Sequence, residues 1–368
     1  MKKILIIGPT THTIVNFRGD LIKEMTSRGH QVVAIGPEKG FEEEIKSFGA
    51  RFIHLPMQKT SVGILHDLTY MKNLLKIFKI EKPDVLFSYA IKPVIYGSIS
   101  AKLASVKERY SMITGLGYVF TTKNFKTKIL TLIVGLLYRL GFACSHKVIF
   151  QNEDDMNDFL QAGYVSKNKT SLVNGSGVNM NKFTPTPLPK TLTFLMIARV
   201  LRNKGVVEYL EAARKLKNKY PDIKFVLLGA IEKLQDSLKY DDIRPYIDDT
   251  SIEYYKETRD VRPYLAQSSV FVLPSYREGT PRTVLEAMAC GRPVITTNVP
   301  GCRQTVVNGI NGFLVPVKDI NALAEKMEWF INNSEKIKEM GEASYNICKE
   351  KYDVEKVNKE MLKLLNLI

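Results

Sequence analysis

The chain is poor in cysteine, almost without tryptophan, and has no long apolar run. Its 368 residues include four cysteines and one tryptophan. Cys144, Cys290, Cys302 and Cys348 lie far apart and form no C-x-x-C pair. That spacing argues against a disulfide framework or a zinc site and for a reducing cytoplasm. The longest apolar stretch, Ile129 to Tyr138, has ten residues, whereas a bilayer-spanning helix needs about 20. Met1-Lys2-Lys3 is followed by only Ile4 to Ile7 before Gly8-Pro9, which reads as a first strand and not as a secretory signal. With 45% hydrophobic and 25% charged residues, disorder and collagen-like repeats are excluded. At about 100–200 residues per domain, the length predicts two domains.

Acidic residues are also scarce. Lys and Arg number 53 against 38 Asp and Glu, a formal charge of +15. Residues 51–150 carry 15 basic and 4 acidic side chains, so most of the surplus lies there. A solvated face, an anionic lipid surface and nucleic acid are the competing explanations. No nucleic-acid module is visible, so net charge alone would carry the last. The segment Phe125 to Arg139 joins Lys126 and Lys128, with Lys123 just before it, to an apolar body. A cationic start on an apolar helix is the footprint of interfacial membrane binding, which makes Lys123, Lys126 and Lys128 the membrane-facing residues. A helix packed inside the protein has the same pattern.

Short apolar runs at 4–7, 32–35, 84–87 and 148–150 alternate with segments of helical spacing such as Leu68 to Ile80. This alternation predicts parallel strands with crossover helices. Thr184-Pro-Thr-Pro-Leu-Pro-Lys190 holds three prolines in five residues and continues neither a helix nor a central strand, so it is the expected linker. The pattern restarts at Leu192 to Ala198, with further runs at Lys224 to Gly229, Val270 to Pro274 and Pro293 to Thr297, and ends in helices over 319–368. Two open, doubly wound α/β units are expected, with ligands at the carboxyl ends of their strands.

The richest stretch is Val270 to Gly291. It reads as a strand to Leu273, a loop, and a helix with Thr280 as N-cap, Pro281 at the first helical position and Gly291 past the end. Such a helix start favours phosphates or hydroxyl-rich anions, placing Gly279, Thr280 and Pro281 at the ligand. Glu278 lies in the loop. Glu286 is the only charge among seven otherwise apolar residues, Val284 to Cys290, so burial there would demand hydrogen bonds. Arg199 and Lys204, five positions apart at a strand end, suit a diphosphate clamp.

Glu278 and Glu286, with the surrounding Pro-Ser-x-x-Glu-Gly-x-Pro, Leu-Glu-Ala-Met-Ala-x-Gly and Pro-Val-Ile, resemble the E-x7-E region of retaining glycosyltransferases of family 4. Arg199 with Lys204-Gly205, Val173 to Asn179 with Phe183, and Asn308 to Val315 are similar to that family too. The resemblance covers nearly the whole chain. It implies the GT-B fold: two facing Rossmann-like domains, here expected at 1–183 and 191–352 around a linker at 184–190, with a helix over 353–368 returning to the first. It also implies catalytic roles for Glu278, Arg199 and Lys204, and donor contacts from Glu286, Gly279, Thr280, Pro281 and Arg259. The donor would be a nucleotide sugar, most simply UDP-linked, with no metal or further cofactor. Gly8, His12 and Arg18, in an expected polar loop after the first strand, and Thr114 with Gly115 are the acceptor or phosphate residues.

Within the family, these segments and Gly301-Cys-Arg-Gln-Thr305 look most like bacterial transferases acting on undecaprenyl-diphosphate-linked saccharides for capsule, O-antigen or glycoprotein glycans. The resemblance thus implies an enzyme peripheral on the inner face of the cytoplasmic membrane, partnered by no nucleic acid. There are departures. Thr114 stands where many relatives carry histidine, and Tyr255-Lys256 precedes Glu257-Thr-Arg259-Asp260 where many have Leu-Gly. Three other readings compete: a sugar-nucleotide epimerase, a non-catalytic membrane-binding protein, and a metal site at Glu153-Asp154-Asp155, acids that equally suit the start of a helix.

Overall fold

The computed structural model describes residues 1–58, 63–115, 125–232, 234 and 236–368, with the side chains of Ile64 and residues 125–130 outside that description. The chain forms two compact units, Met1–Ser176 with Val354–Ile368, and Gly177–Asp353.

In the first unit, seven parallel strands are β1 (Lys3–Ile7), β2 (Gln31–Gly36), β3 (Arg51–His54), β4 (Val85–Tyr89), β5 (Glu108–Ile113), β6 (Lys147–Phe150) and β7 (Thr170–Leu172). Their order is β3-β2-β1-β4-β5-β6-β7. The helices are α1 (Thr11–Ser27), α2 (Glu42–Ser47), α3 (Ile64–Glu81), α4 (Ser98–Leu103), α5 (Phe125–Ala143) and α6 (Glu153–Gln161). Strand alternation divides the core. Ile4 and Ile6 pack with Ile14, Leu21 and Ile22 of α1, while Leu5 and Ile7 pack with Leu74 and Phe78 of α3. Both faces of β1 are covered, which is why it is apolar from Ile4 to Ile7. Each such fully buried side chain contributes about 1.5–3 kcal/mol. Glu153, Asp154 and Asp155 occupy the first turn of α6 behind the N-cap Asn152, where their charge complements the helix dipole.

The second unit has six parallel strands, β8 (Thr193–Ile197), β9 (Lys224–Leu228), β10 (Glu253–Tyr255), β11 (Val270–Leu273), β12 (Val294–Thr297) and β13 (Gly312–Val315), in the order β10-β9-β8-β11-β12-β13. Around them lie α7 (Val206–Lys219), α8 (Tyr240–Asp248), α9 (Arg262–Ala266), α10 (Arg282–Ala289), α11 (Ile320–Asn332) and α12 (Lys336–Lys351). The last helix, α13 (Val354–Leu364), belongs to the first unit, where Met361, Leu362 and Leu365 join the core beside α1. In both sheets the strand order reverses beside the first strand, between β1 and β4 and between β8 and β11, and such switch points are where open α/β sheets bind ligands.

The boundary between the units differs from the linker expected at 184–190. It lies at Ser176, because Val178 already bridges to Asp353 and Phe183 is buried in the second core. The proline-rich segment is bound to the second unit by Arg292, a fully buried guanidinium that donates to Thr186 O (2.9 Å), Thr186 Oγ1 (2.6 Å) and Pro187 O (3.2 Å). Three prolines broke the periodicity as expected, but a buried hydrogen-bond donor made the segment part of a domain.

Candidate active site

Three loops of the second unit meet at the carboxyl end of its sheet. They follow β8, β11 and β12. Gly205 begins the turn into α7 with φ of 74° and lies so close to Pro274 that a Cβ would collide with the Pro274 carbonyl. Gly301, with φ of 80°, lies equally close to the Glu278 carbonyl. Only glycine adopts both the left-handed backbone and these approaches without strain. Tyr276 N–H donates to Asn203 O at 2.9 Å and Glu278 N–H to Pro300 O at 3.0 Å, tying the loops together.

This packing brings Lys204 and Glu278 into an ion pair with Nζ–Oε1 2.5 Å. Ser275 Oγ donates to the same oxygen at 2.7 Å. Both charges are largely buried, with side-chain exposures of 20% and 14%. Arg199 lies apart from this pair in its contacts: it is half exposed and bonds Glu232 at 3.2 Å. Arg259 is exposed on the loop before α9. Beneath the site, burial pushes the Cys302 thiol up to about 12, with the Glu278 charge adding to the effect; this cysteine is a packed core residue and not a nucleophile.

The helix after Glu278 starts one residue later than expected. Pro281 is the N-cap of α10, with ψ of 107°, and Arg282 its first helical residue. The ring of Pro281 disfavours helical backbone at Thr280, and Pro281 itself is still extended, so helical geometry begins only at Arg282. Gly279 is buried and Thr280 half-buried in the loop. Gly291 adopts the left-handed conformation past the helix end (φ 74°), as expected. Glu286 faces inward, and burial raises its pKa, opposed by Arg282 and Lys182. Arg282 Nε donates to Glu286 Oε1 at 3.1 Å, one helical turn away.

Residues 3–152 match the family model of glycosyl transferase 4-like domains, and residues 181–347 match that of glycosyl transferases group 1. The chain belongs to the group 1 glycosyltransferases. It is 28% identical over 347 residues to the N,N′-diacetylbacillosaminyl-diphospho-undecaprenol α-1,3-N-acetylgalactosaminyltransferase of Campylobacter jejuni, covering 89% of each chain. It is 26% identical to a capsular polysaccharide biosynthesis glycosyltransferase of Staphylococcus aureus, covering 90% of this chain and 88% of that protein. The fold matches Anabaena HepE in complex with UDP at a TM-score of 0.79 and 17% identity over 100% of both chains. It matches sucrose-phosphate synthase of Thermosynechococcus elongatus at 0.82 and 18%, over 100% of this chain and 98% of that one. The GT-B fold is thereby established.

In this glycosyltransferase the expected acceptor residues occupy several settings. The stretch Gly8 to Arg18 is a loop only to Thr10, whose side chain accepts from Thr13 N–H and caps α1. Gly8 sits where a Cβ would strike the Tyr89 hydroxyl and Ile14. His12 is exposed and bonds Asn16 through Nε2 at 2.8 Å. Arg18, expected in a loop, lies two turns into α1 and is 2% exposed; its guanidinium carbon stands 5.1 Å from the Tyr89 ring centroid, and Nη2 donates to Met112 Sδ at 2.9 Å. A helix starting at Thr11 turns this position toward the sheet. Thr114 and Gly115 follow β5, half-buried, with Gly115 at φ of 132°. Lys123 lies outside the described residues, as do the side chains of Lys126 and Lys128.

Two site residues escaped the sequence reading. Glu208 is buried in the first turn of α7, and Tyr276 Oη donates to its Oε1 at 2.7 Å. The signal was present: Glu208 is the only charge from Val206 to Leu210, the same pattern that drew attention to Glu286.

Proposed function

We propose that this glycosyltransferase moves an N-acetylhexosamine, N-acetylgalactosamine being the leading choice, from a UDP-sugar to an undecaprenyl-diphosphate-linked saccharide, with retention of anomeric configuration. The observation that carries the reading is the Lys204–Glu278 pair at the switch point between β8 and β11. A lysine held there by a carboxylate is placed to neutralise a diphosphate, and a carboxylate there can accept hydrogen bonds from sugar hydroxyls. The acceptor class rests on the likeness to the Campylobacter jejuni protein, whose name specifies a diphospho-undecaprenol acceptor, over 89% of each chain. The capsular transferase of Staphylococcus aureus supports a role in surface glycans.

In this mechanism the bond from the sugar C1 to the β-phosphate oxygen breaks, and its electron pair leaves with UDP. Lys204, with Arg199 swung from Glu232, neutralises the charge that develops there. The acceptor hydroxyl attacks C1 from the face the diphosphate leaves and passes its proton to that phosphate. Glu286 would hold the ribose hydroxyls, Gly279, Thr280 and Pro281 would position sugar and phosphate through the loop, and Arg259 would border the base. Charge neutralisation is assigned to these cations in place of a metal.

The protein would work as a peripheral enzyme on the inner face of the cytoplasmic membrane. Supporting this, α5 buries Val134, Tyr138 and Phe142 but exposes Leu132 (74%), Ile133 (46%), Leu136 (59%) and Leu140 (50%). One apolar face packs in the core and the other is open, which leaves a surface that the proposed lipid contact could use. Among the described residues no helix is long and apolar enough to cross a membrane.

The test is nucleoside diphosphate release from a panel of UDP- and GDP-sugars, in chelator, with and without undecaprenyl-diphosphate saccharides. Release from one UDP-N-acetylhexosamine that depends on the lipid acceptor supports the proposal. Release from a GDP-sugar, or release restored only by a divalent cation, overturns the donor or the metal-free part respectively.

A further inference from the structure

Tyr276 holds together the two loops that carry Lys204 and Glu278. It lies two residues before Glu278, and its N–H donates to Asn203 O at 2.9 Å, the carbonyl next to Lys204. Its hydroxyl donates to Glu208 Oε1 at 2.7 Å. Lys318 Nζ stands 4.9 Å from the ring centroid. The ring is therefore pinned at its backbone, its hydroxyl and one side of its ring. Burial and the Glu208 charge both raise the Tyr276 pKa, so the hydroxyl stays protonated and donating.

Glu208 is an unusual choice for a brace. It is 6% exposed, and among the described residues its Oε2 is buried without a hydrogen-bond partner. A buried carboxylate oxygen left unpaired is destabilising, and a neutral acceptor would hold a tyrosine hydroxyl without that cost. The first turn of α7 offsets part of it, since negative charge is favourable at a helix start. What a carboxylate adds over a neutral acceptor is a stronger, charge-assisted hydrogen bond. That strength matters if the loop must keep its place when the anionic donor competes with Glu278 for Lys204. Strained or costly groups held by their surroundings gather at functional sites for this reason.

We infer that Glu208 is a positioning residue of the donor site, acting through Tyr276 to hold the Glu278 loop while Lys204 transfers from Glu278 to the donor diphosphate. This rests on the placement of the donor at Lys204 and Glu278. Glu208 touches no reacting atom; its contribution is to the geometry of the loop during turnover, and so to kcat more than to donor binding.

The experiment compares Tyr276→Phe, Glu208→Gln, Glu208→Leu and the double variant Tyr276→Phe/Glu208→Leu in the full chain. Lys204→Ala and Glu278→Gln serve as controls. Turnover, donor KM and thermal midpoint are measured for each. Tyr276→Phe and Glu208→Leu are each expected to lower kcat by about 10-fold or more with donor KM within about 2-fold, and the double variant to lose no more than either, because they break one linkage. Glu208→Gln keeps an acceptor for the hydroxyl and recovers part of the loss. The double variant, which removes both polar partners, is expected to melt no lower than the wild type.

A purely structural brace predicts the reverse: the melting midpoint falls in step with activity, and kcat is normal in whatever protein remains folded. Normal kcat in Tyr276→Phe and Glu208→Leu, or fully additive losses in the double variant, would overturn the inference while leaving the donor site standing. Full activity in both Lys204→Ala and Glu278→Gln would remove the donor site itself, and the inference with it.

Discussion

Lys204 Nζ and Glu278 Oε1 are 2.5 Å apart although 74 positions separate the two residues in the chain. The parallel sheet makes the contact. β8 and β11 are neighbours, so the loops that leave their carboxyl ends emerge side by side, and Gly205 and Gly301 remove the Cβ atoms that would hold those loops off. In the proposed reaction the donor diphosphate takes Lys204 from Glu278, which frees the carboxylate for the sugar.

Glu278→Gln should lower turnover about 100–1,000-fold, the scale seen when one transition-state contact is removed, with the melting curve unchanged. Lys204→Ala should weaken both donor affinity and kcat. Calorimetric titration with UDP and single-turnover assays separate the two effects. Near-normal kinetics in Lys204→Ala would sink the diphosphate clamp.

Glu286 gives a pH signature. Burial raises its pKa in the folded chain above the ordinary 4.5. Below that value both folded and unfolded chains hold the proton and the residue is neutral in its effect. As pH rises from there through the raised value, the unfolded chain ionises first and stability is lost. Glu286→Gln should therefore raise the urea midpoint at pH 7 relative to the wild type and leave it unchanged near pH 4. Equal midpoints at both pH values would show that Arg282 fully compensates the burial.

Gly205→Ala would place a Cβ against the Pro274 carbonyl at a φ of 74°. Strain of this kind costs on the order of 1–3 kcal/mol. The expected result is a lower melting midpoint together with weaker donor binding, since the loop bearing Lys204 must move. Circular dichroism melts and UDP titration check both.

Arg292→Met removes a buried donor set and leaves carbonyls of Leu265, Ala266, Thr186 and Pro187 without it. Unpaired buried carbonyls cost about 1–3 kcal/mol each at most, so the loss should be several kcal/mol in total. Limited proteolysis within 184–190 should then be faster than in the wild type. Uncut protein with an unchanged midpoint would contradict the anchoring role.

The exposed face of α5 is testable without touching the core. Leu132→Ser with Leu136→Ser should keep the fold and lower sedimentation with anionic vesicles at both low and high salt. Replacing Lys126 and Lys128 should weaken binding chiefly at low salt, because screening removes that contribution otherwise. Unchanged vesicle binding in both would remove the lipid contact from the proposal.

Much of this protein was determined by its sequence alone. Apolar runs such as Ile4 to Ile7 and Val270 to Leu273 had to be strands buried on both faces, because nothing polar in them could meet water. The αL glycine at Gly291 and the charge isolated in Val284 to Cys290 marked α10 and Glu286. Polar or short strands such as Arg51–His54 and Glu253–Tyr255 were not legible, since edge strands lack the apolar run that announces a central one. Nor could local pattern show that α1 begins at Thr11 and turns Arg18 inward, or that Arg292 draws the proline-rich segment into the second unit. The tertiary structure decided which charges meet. Lys204 took Glu278 and Arg199 took Glu232, and Glu208 found Tyr276, because hydrogen-bond partners far apart in the chain are chosen by the packing of loops at the carboxyl end of a sheet and leave no periodic trace in the sequence.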